Sequence, residues 1–351
     1  MKPFYLRPLH SSLTLALLVA TPLATTQLAA EVSLAPIFSD HLVLPHGKNV
    51  TIWGQANPKE PLSVSFAGQT HDTRADTHGE WAIKLEPLEP NSSPTDLVVE
   101  ASNSIRIEDV LVGEVWLCSG QSNMEWNFER LRLSTHKFVS SENSIIRHLK
   151  IPQVPSSATT TEFTAEWTPA TVETVKDFSA VAYLFGLELQ RELNMPIGLV
   201  NSSYGGTQIE SWISEEALAD SQYKTAINER WQEMLDDYPR ALEWYKKRLK
   251  KWETDRIKAD AADRPFTARK PRMPYGPGSQ REPNSLYNGM IYPLLPFTFT
   301  GVIWYQGESN APRHAEYAEL FVKMIEQWRK DFNAPELPFY FVQLANMERS
   351  T

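Results

Sequence analysis

The sequence predicts an α/β protein: an all-β region comes first, followed by strands that alternate with helices and carry a helical insertion. Three observations predict it. Short runs of alternating apolar residues recur from Glu31 to Glu108. From Asp109 onward the apolar runs are continuous rather than alternating, and segments of helical periodicity separate them, which is the pattern of a parallel sheet covered on both faces. Three polar, glycine-containing loops follow directly on three of those runs. With 351 residues, 42% hydrophobic and 22% charged, the chain has the composition and length for a globular protein of two domains. A net charge of -9 argues against a nucleic acid partner. Cys118 is the single cysteine, so no internal disulfide forms, and its place in an apolar run marks it as a small core residue.

In chain order, Lys2 and Arg7 precede the apolar run Leu13 to Ala24, and small residues follow up to Ala30. This is the layout of a cleavable export signal over residues 1–30, with an apolar run too short to span a bilayer. The expectation is an exported protein, periplasmic or secreted, with no membrane span. Residues 31–108 contain the runs Val50/Ile52, Leu62/Val64/Phe66, Trp81/Ile83/Leu85, Leu97/Val99 and Ile105/Ile107. Turn signals at Asn57-Pro58, His78-Gly79 and Asn91 to Pro94 separate them, which predicts a β-sandwich-like domain. Its Trp53 and Trp81 read as core rings rather than sugar platforms.

Residues 109–351 form the second domain. Val110 to Cys118 predicts a strand covered on both faces, and it breaks at Gly120 into a turn that presents Ser122. Met124 stands where a second glycine would complete the usual Gly-x-Ser-x-Gly elbow of α/β-hydrolases, so that elbow is not matched. Ile145 to Ile151 predicts a second strand. Asp177 predicts the cap of a helix from Phe178 to about Leu193, which Pro196 ends, and Ile197 to Val200 is the next strand. Residues 214–262 form the helical insertion, with Trp231, Leu235, Tyr238, Leu242, Tyr245, Leu249 and Trp252 on one seam. Pro239 inside that seam predicts two helices or a sharp kink. Residues 263–285 predict an irregular loop over the site, where Arg272 or Arg281 either meets an acidic substrate or is solvated. Phe299 to Tyr305 predicts a strand, Tyr317 to Trp328 a periodic helix, and Phe339 to Leu344 the last strand.

Three segments thus stand at strand ends: GQSNMEW from Gly120, NSSYGGTQIESW from Asn201, and WYQGESN from Trp304. Together they resemble the sialate O-acetylesterase family, a branch of the SGNH hydrolases that is also similar to the acetylxylan esterases. The resemblance implies a flavodoxin-like three-layer domain behind the β-domain. It also implies hydrolysis of acetyl esters on a sugar or glycan, with no cofactor and no metal. By resemblance Ser122 is the nucleophile, and Ser122, Gly206 and Gln306 form the oxyanion hole, with Asn123, Glu308 and Asn310 in support. Cleaving an acetyl ester develops negative charge on one oxygen, so donors at these three positions are what the transition state requires.

The family carries its general base and orienting acid as Asp-x-x-His, beyond the strand that matches Phe339 to Leu344. None of this chain's histidines, His10, His41, His46, His71, His78, His136, His148 and His314, has an aspartate three residues before it. The expectation is therefore a chain incomplete at its C-terminal end, with the general base unknown and apolar surface exposed around Phe339, Phe341 and Val342. His314 is the nominee for a substitute base. The alternatives are an acetylxylan esterase, or a non-catalytic sugar-binding protein or inactive fragment, because a serine hydroxyl without a positioned base is a weak nucleophile.

Overall fold

The computed structural model describes residues 31–139 and 145–345, so the predicted export signal lies outside the described residues. The first part contains β1 (Ser33–Leu34), β2 (Val43–Pro45), β3 (Val50–Gln55), β4 (Pro61–Phe66), β5 (Gln69–Arg74), β6 (Glu80–Leu85) and β7 (Asn91–Glu100). The next strand, β8 (Ser104–Gly120), runs for 17 residues. Antiparallel pairing joins β1, β3 and β6 into one sheet. A second sheet runs β5-β4-β7-β8, with β2 parallel to β8. The period of two seen in the sequence is the physical basis of the packing. In β6 Trp81, Ile83 and Leu85 point inward while Glu80, Ala82 and Lys84 face out. Ile52, Ile83 and Leu85 from one sheet and Val64, Phe66, Leu97 and Val99 from the other belong to a single apolar cluster. Trp81 is buried in it, and the half-buried Trp53 packs edge-on against Phe38 with ring centroids 4.7 Å apart.

The second part continues through α1 (Ser122–Glu125), β9 (Ile146–Lys150), β10 (Thr168–Pro169), α2 (Ala180–Leu193), β11 (Ile197–Ser203), α3 (Glu215–Ala219), α4 (Lys224–Ala261), β12 (Gly301–Tyr305), α5 (His314–Asp331) and β13 (Phe339–Phe341). The strands β9-β11-β8-β12-β13 pair in that order, all parallel, and β10 closes the β9 edge antiparallel. The boundary expected between residues 108 and 109 falls inside β8. Its first half pairs with β7 and β2, and its second half pairs with β11 and β12. Asp109 marks the change with a φ of 55°, and its carboxylate accepts from Arg147 Nη2 at 2.9 Å and meets His41 Nδ1 at 2.6 Å. Counted from β8, the parallel order is 2-3-1-4-5 rather than the flavodoxin order 2-1-3-4-5. With β9 set aside as an added edge strand, the remainder runs 2-1-3-4.

Alternate residues of the parallel strands feed two cores. Val115, Leu117, Val200, Val302 and Trp304 pack with Leu320, Met324 and Trp328 of α5. Trp116, Cys118, Ile197, Leu199 and Ile303 pack with Ala182, Tyr183 and Leu187 of α2. Each fully buried Val, Leu or Ile contributes about 1.5–3 kcal/mol, which is why these strands need no polar face. Burial also pushes the Cys118 thiol up, so it stays protonated in the core.

Two local expectations are corrected. The cap of α2 is Ser179, whose Oγ accepts from the Ala182 N–H at 3.1 Å, while Asp177 belongs to the preceding 3₁₀ turn. The seam from Trp231 to Trp252 lies on one continuous helix of 38 residues despite Pro239. That proline is exposed and costs the helix one hydrogen bond, at the carbonyl of the half-buried Leu235, and the helical turns on either side carry the chain through it. The seam itself is covered by the returning segment: Trp252 Nε1 donates to the Ala268 carbonyl at 2.8 Å, and the Phe266 ring lies 5.6 Å from the Trp252 ring. Among the described residues no helix is long and apolar enough to cross a membrane.

His148 on β9 is buried against Phe178, and its Nε2 has no hydrogen-bond partner among the described residues. Desolvation, with the Lys150 charge adding, pulls its imidazole from the usual 6.5 down to about 4. The unfolded chain therefore takes up this proton first as pH falls. The stability it protects is intact above pH 6.5 and is lost progressively toward pH 4. The whole loss amounts to about 3 kcal/mol. Urea titrations of the parent and of His148→Phe at pH 7, 5.5 and 4 should show their stability difference moving by about that amount in favour of the variant; parallel curves would remove His148 from the acid response.

Candidate active site

Three adjacent strands, β11, β8 and β12, end side by side, and the three loops singled out in the sequence leave from those ends. Chain connections diverge on either side of β8, so the loops meet where an open α/β sheet has its crevice. The turn after β8 begins at Gly120, with φ 136° and no room for a side chain: a Cβ there would stand 2.2 Å from the Tyr305 carbonyl oxygen. Gln121 N–H donates to that same carbonyl at 2.9 Å. The chain then enters α1, and Ser122 is half-buried, with an Oγ that has no hydrogen-bond partner among the described residues.

The loop after β11 comes directly onto the serine. A Cβ on Gly205 would lie 3.3 Å from Ser122 Cβ and 2.6 Å from Glu125 Oε2, and in its absence the Gly205 N–H donates to that carboxylate at 2.5 Å. The N–H groups of Ser122 and Gly206 have no acceptor among the described residues, whereas those of Met124 and Glu125 are taken by the Gln121 carbonyl. The loop after β12 is tied to the serine turn by side chains. Gln121 Oε1 accepts from the Gly307 and Ser309 N–H groups at 3.4 and 3.3 Å, and Asn123 Nδ2 donates to Glu308 Oε1 at 2.5 Å.

Gln306 is buried at 3% exposure, and its Nε2 donates to the Thr207 carbonyl at 3.1 Å and to Asn310 Oδ1 at 2.8 Å. Asn310 Nδ2 donates to Glu210, which requires its Oδ1 to be the acceptor, so Gln306 has its NH₂ on that side. Both amide hydrogens are thus engaged, and donation to an oxyanion would have to replace one of these bonds. The Tyr317 hydroxyl, held up to about 12 by burial and so neutral, donates to the Gln306 carbonyl at 3.1 Å. Behind Gln306 a polar chain continues. Glu210 accepts from Asn310 at 2.9 Å and from Arg313 Nη2 at 3.2 Å, Arg313 Nε lies 3.4 Å from Glu316, and Arg230 of α4 binds Glu316 through both Nη groups at 3.0 and 2.7 Å.

All six expected site residues, Ser122, Asn123, Gly206, Gln306, Glu308 and Asn310, therefore lie in one cluster of loops. Gln121, Glu125 and Glu210 belong to it as well. They stood inside the quoted motifs, and their partners are far away in sequence. Beside Gln306 a cavity of about 780 Å³ is lined by Glu308, His314, Tyr317, Phe341 and Leu344, and Ser122 is not among its lining residues. At its rim Phe341 is 58% exposed and Val342 42%. The His41–Asp109 pair lies where the two halves of β8 meet, about 35 Å before Gly120 along a strand that rises about 3.3 Å per residue, too far to act on Ser122.

The chain matches the profile of a family described as carbohydrate esterase, sialic acid-specific acetylesterase, over residues 112–256 and 279–351. The chain belongs to this family. The match spans all three loops of the site. Mouse sialate O-acetylesterase is 29% identical over 323 residues, covering 84% of this chain and 56% of the mouse protein. The human sialate O-acetylesterase is 28% identical over 339 residues, covering 88% of this chain and 56% of the human protein. The chain thus spans about half the length of the curated relatives it matches. Among solved structures, a carbohydrate acetylesterase from Xanthomonas citri superposes with a TM-score of 0.69 and 31% identity, over 90% of this chain and 60% of that one. The mixed α/β architecture is accordingly that of a carbohydrate acetylesterase.

Within this loop cluster the Glu210 carboxylate, whose side chain is 6% exposed, holds Asn310 and Arg313. Glu210→Ala strands the Asn310 amide and leaves Arg313 only its 3.4 Å contact with Glu316, and the expected cost is about 1–3 kcal/mol, read as a lowered urea midpoint. Glu210→Gln, which keeps an acceptor for Asn310, should cost less; equal losses would mean that the ion pair alone matters.

Proposed function

We propose that this chain carries the acetyl-ester hydrolase site of a carbohydrate O-acetylesterase of SGNH type, acting on O-acetylated sialic acid with Ser122 as nucleophile. One observation carries the reading: a half-buried serine with an unbonded hydroxyl lies against the Gly205–Gly206 turn, and the backbone N–H groups of Ser122 and Gly206 have no acceptor among the described residues. In the reaction Ser122 Oγ loses its proton and bonds to the acetyl carbon. The carbonyl oxygen becomes an oxyanion that these N–H groups stabilise, each contributing about 2.7–4 kcal/mol. Collapse expels the sugar oxygen, which takes up a proton, and water then cleaves the acetyl-serine to release acetate. The two backbone donors are free in the resting site, whereas the Gln306 amide joins only by exchanging a bond.

The parallel sheet with α2 on one face and α5 on the other, and the three loops at its strand ends, support the SGNH assignment. The lysine-and-arginine start, apolar run and small residues of 1–30 support export. Acetylxylan remains the other acetylated substrate that the resemblance implies. The base that accepts the Ser122 proton has no assigned residue; His314 lines the cavity beside Gln306 and is the nominee. A second reading, a non-catalytic sugar-binding protein on an esterase scaffold, draws on one observation. No histidine is hydrogen-bonded to Ser122 Oγ among the described residues, and His46 and His41 are engaged with Glu114 and Asp109.

Acetate release from O-acetylated sialic acid and from acetylated xylan, measured for the parent and for Ser122→Ala, tests the reading. The variant should lose acetate release while keeping the parent's urea midpoint, since only one exposed-side polar atom is removed. Retained turnover in Ser122→Ala would refute the nucleophile, and sugar binding without turnover by the parent would establish the second reading.

A further inference from the structure

Arg281 stands apart from the other cations around the site. Its Nε donates to the Gly206 carbonyl at 3.2 Å, and its guanidinium carbon lies 4.0 Å from the centroid of the Tyr275 ring. The same Tyr275 carries its hydroxyl 3.8 Å from where a Cβ on Gly206 would be. The guanidinium is thereby fixed in position and orientation by two contacts, one of them to the glycine next to Gly205, which itself touches Ser122. Neither contact uses the Nη groups. No protein acceptor or carboxylate partner meets them among the described residues, although Arg106, Arg147, Arg230 and Arg313 are all paired with carboxylates.

The carboxylates near the site are, by contrast, already occupied. Glu125 holds the Gly205 N–H, Glu308 holds Asn123, Glu210 holds Asn310 and Arg313, and Glu282 holds the Gly278 N–H. A half-buried, stacked guanidinium with a free fork is the geometry that takes a carboxylate through two parallel hydrogen bonds. A purely structural role would account for the Nε bond to Gly206 and leave the fork unexplained. Simple hydration would account for the fork and leave the stacking and the tether unexplained.

We propose that Arg281 is the carboxylate-reading residue of the site, so that the sugar presented to Ser122 is an acidic one that places its carboxylate on the Arg281 fork. This rests on the acetylesterase reading and deepens it by naming the residue that holds the carboxylate of its acidic sugar. Sialic acids and uronic acids share that chemistry.

The test is binding by the 351-residue chain, measured calorimetrically with N-acetylneuraminic acid and with glucuronic acid, each beside its own methyl ester. The parent should bind at least one acid about tenfold or more tightly than the corresponding ester, and the acid that shows this identifies the source. Arg281→Gln should bring that ratio to within about twofold of one, and Arg281→Lys should restore part of it. A parent ratio near one for both acids, or no detectable binding of either acid, overturns the proposal without needing any variant. So does a parental ratio preserved in Arg281→Gln. Failure of the esterase reading is separate: it would show as absent acetate release with the acid-to-ester ratio intact.

Discussion

Strand β8 is the element on which the rest depends, because it is paired on both edges and buried on both faces through its second half. A strand so enclosed cannot shift or end gradually. It ends where the Tyr305 carbonyl blocks any side chain at Gly120 and accepts the Gln121 N–H. That places Ser122 at the point where the connections diverge to β11 on one side and β12 on the other, with both neighbouring loops within reach. The long strand also joins the β5-β4-β7-β8 sheet and the parallel sheet into one framework, through the turn at Asp109 that Arg147 and His41 hold.

Polar bonds, rather than apolar packing, hold the three loops together at that point. Gln121, Asn123 and Glu125, three residues of one turn, reach Gly307, Ser309, Glu308 and Gly205. Such bonds are worth about 0.5–1.5 kcal/mol net when made and cost more when one partner is removed from a buried position. The arrangement is correspondingly specific in geometry, which the oxyanion site proposed above requires, since donors contribute to catalysis only where they need no reorganisation. The line from Gln306 through Asn310, Glu210, Arg313 and Glu316 to Arg230 extends the same logic from the serine loop to α4, giving the long insertion a mechanical tie to the site.

The fold was legible in the sequence wherever one periodicity dominates a segment. The alternation in β6, the continuous apolar run of β8 and the α5 face of Leu320, Met324 and Trp328 each leave a single way to bury the apolar side chains. It was not legible where competing local terms are close in energy. Ser179 and Asp177 are both good caps two residues apart, and which one served was decided by the 3₁₀ turn ahead of α2. Pro239 removes one helix hydrogen bond, yet the other bonds of a 38-residue helix carry the chain through it, which sequence spacing does not report. Histidines illustrate the same limit: His41 and His46 answer carboxylates 68 positions away, and His148 is a core residue.

By itself the sequence determined the element types, the three loops that make the site and the family to which they belong, because short motifs and periodicities encode local backbone geometry directly. The tertiary structure alone decided which groups remain free. The same residue types occur as paired and unpaired, and only the fold shows that the Gln306 amide is spent on Thr207 and Asn310 while the Ser122 and Gly206 N–H groups and the Arg281 fork are not. Whether a polar group is available depends on partners brought from distant parts of the chain, and that is a property of three-dimensional packing which no local pattern carries.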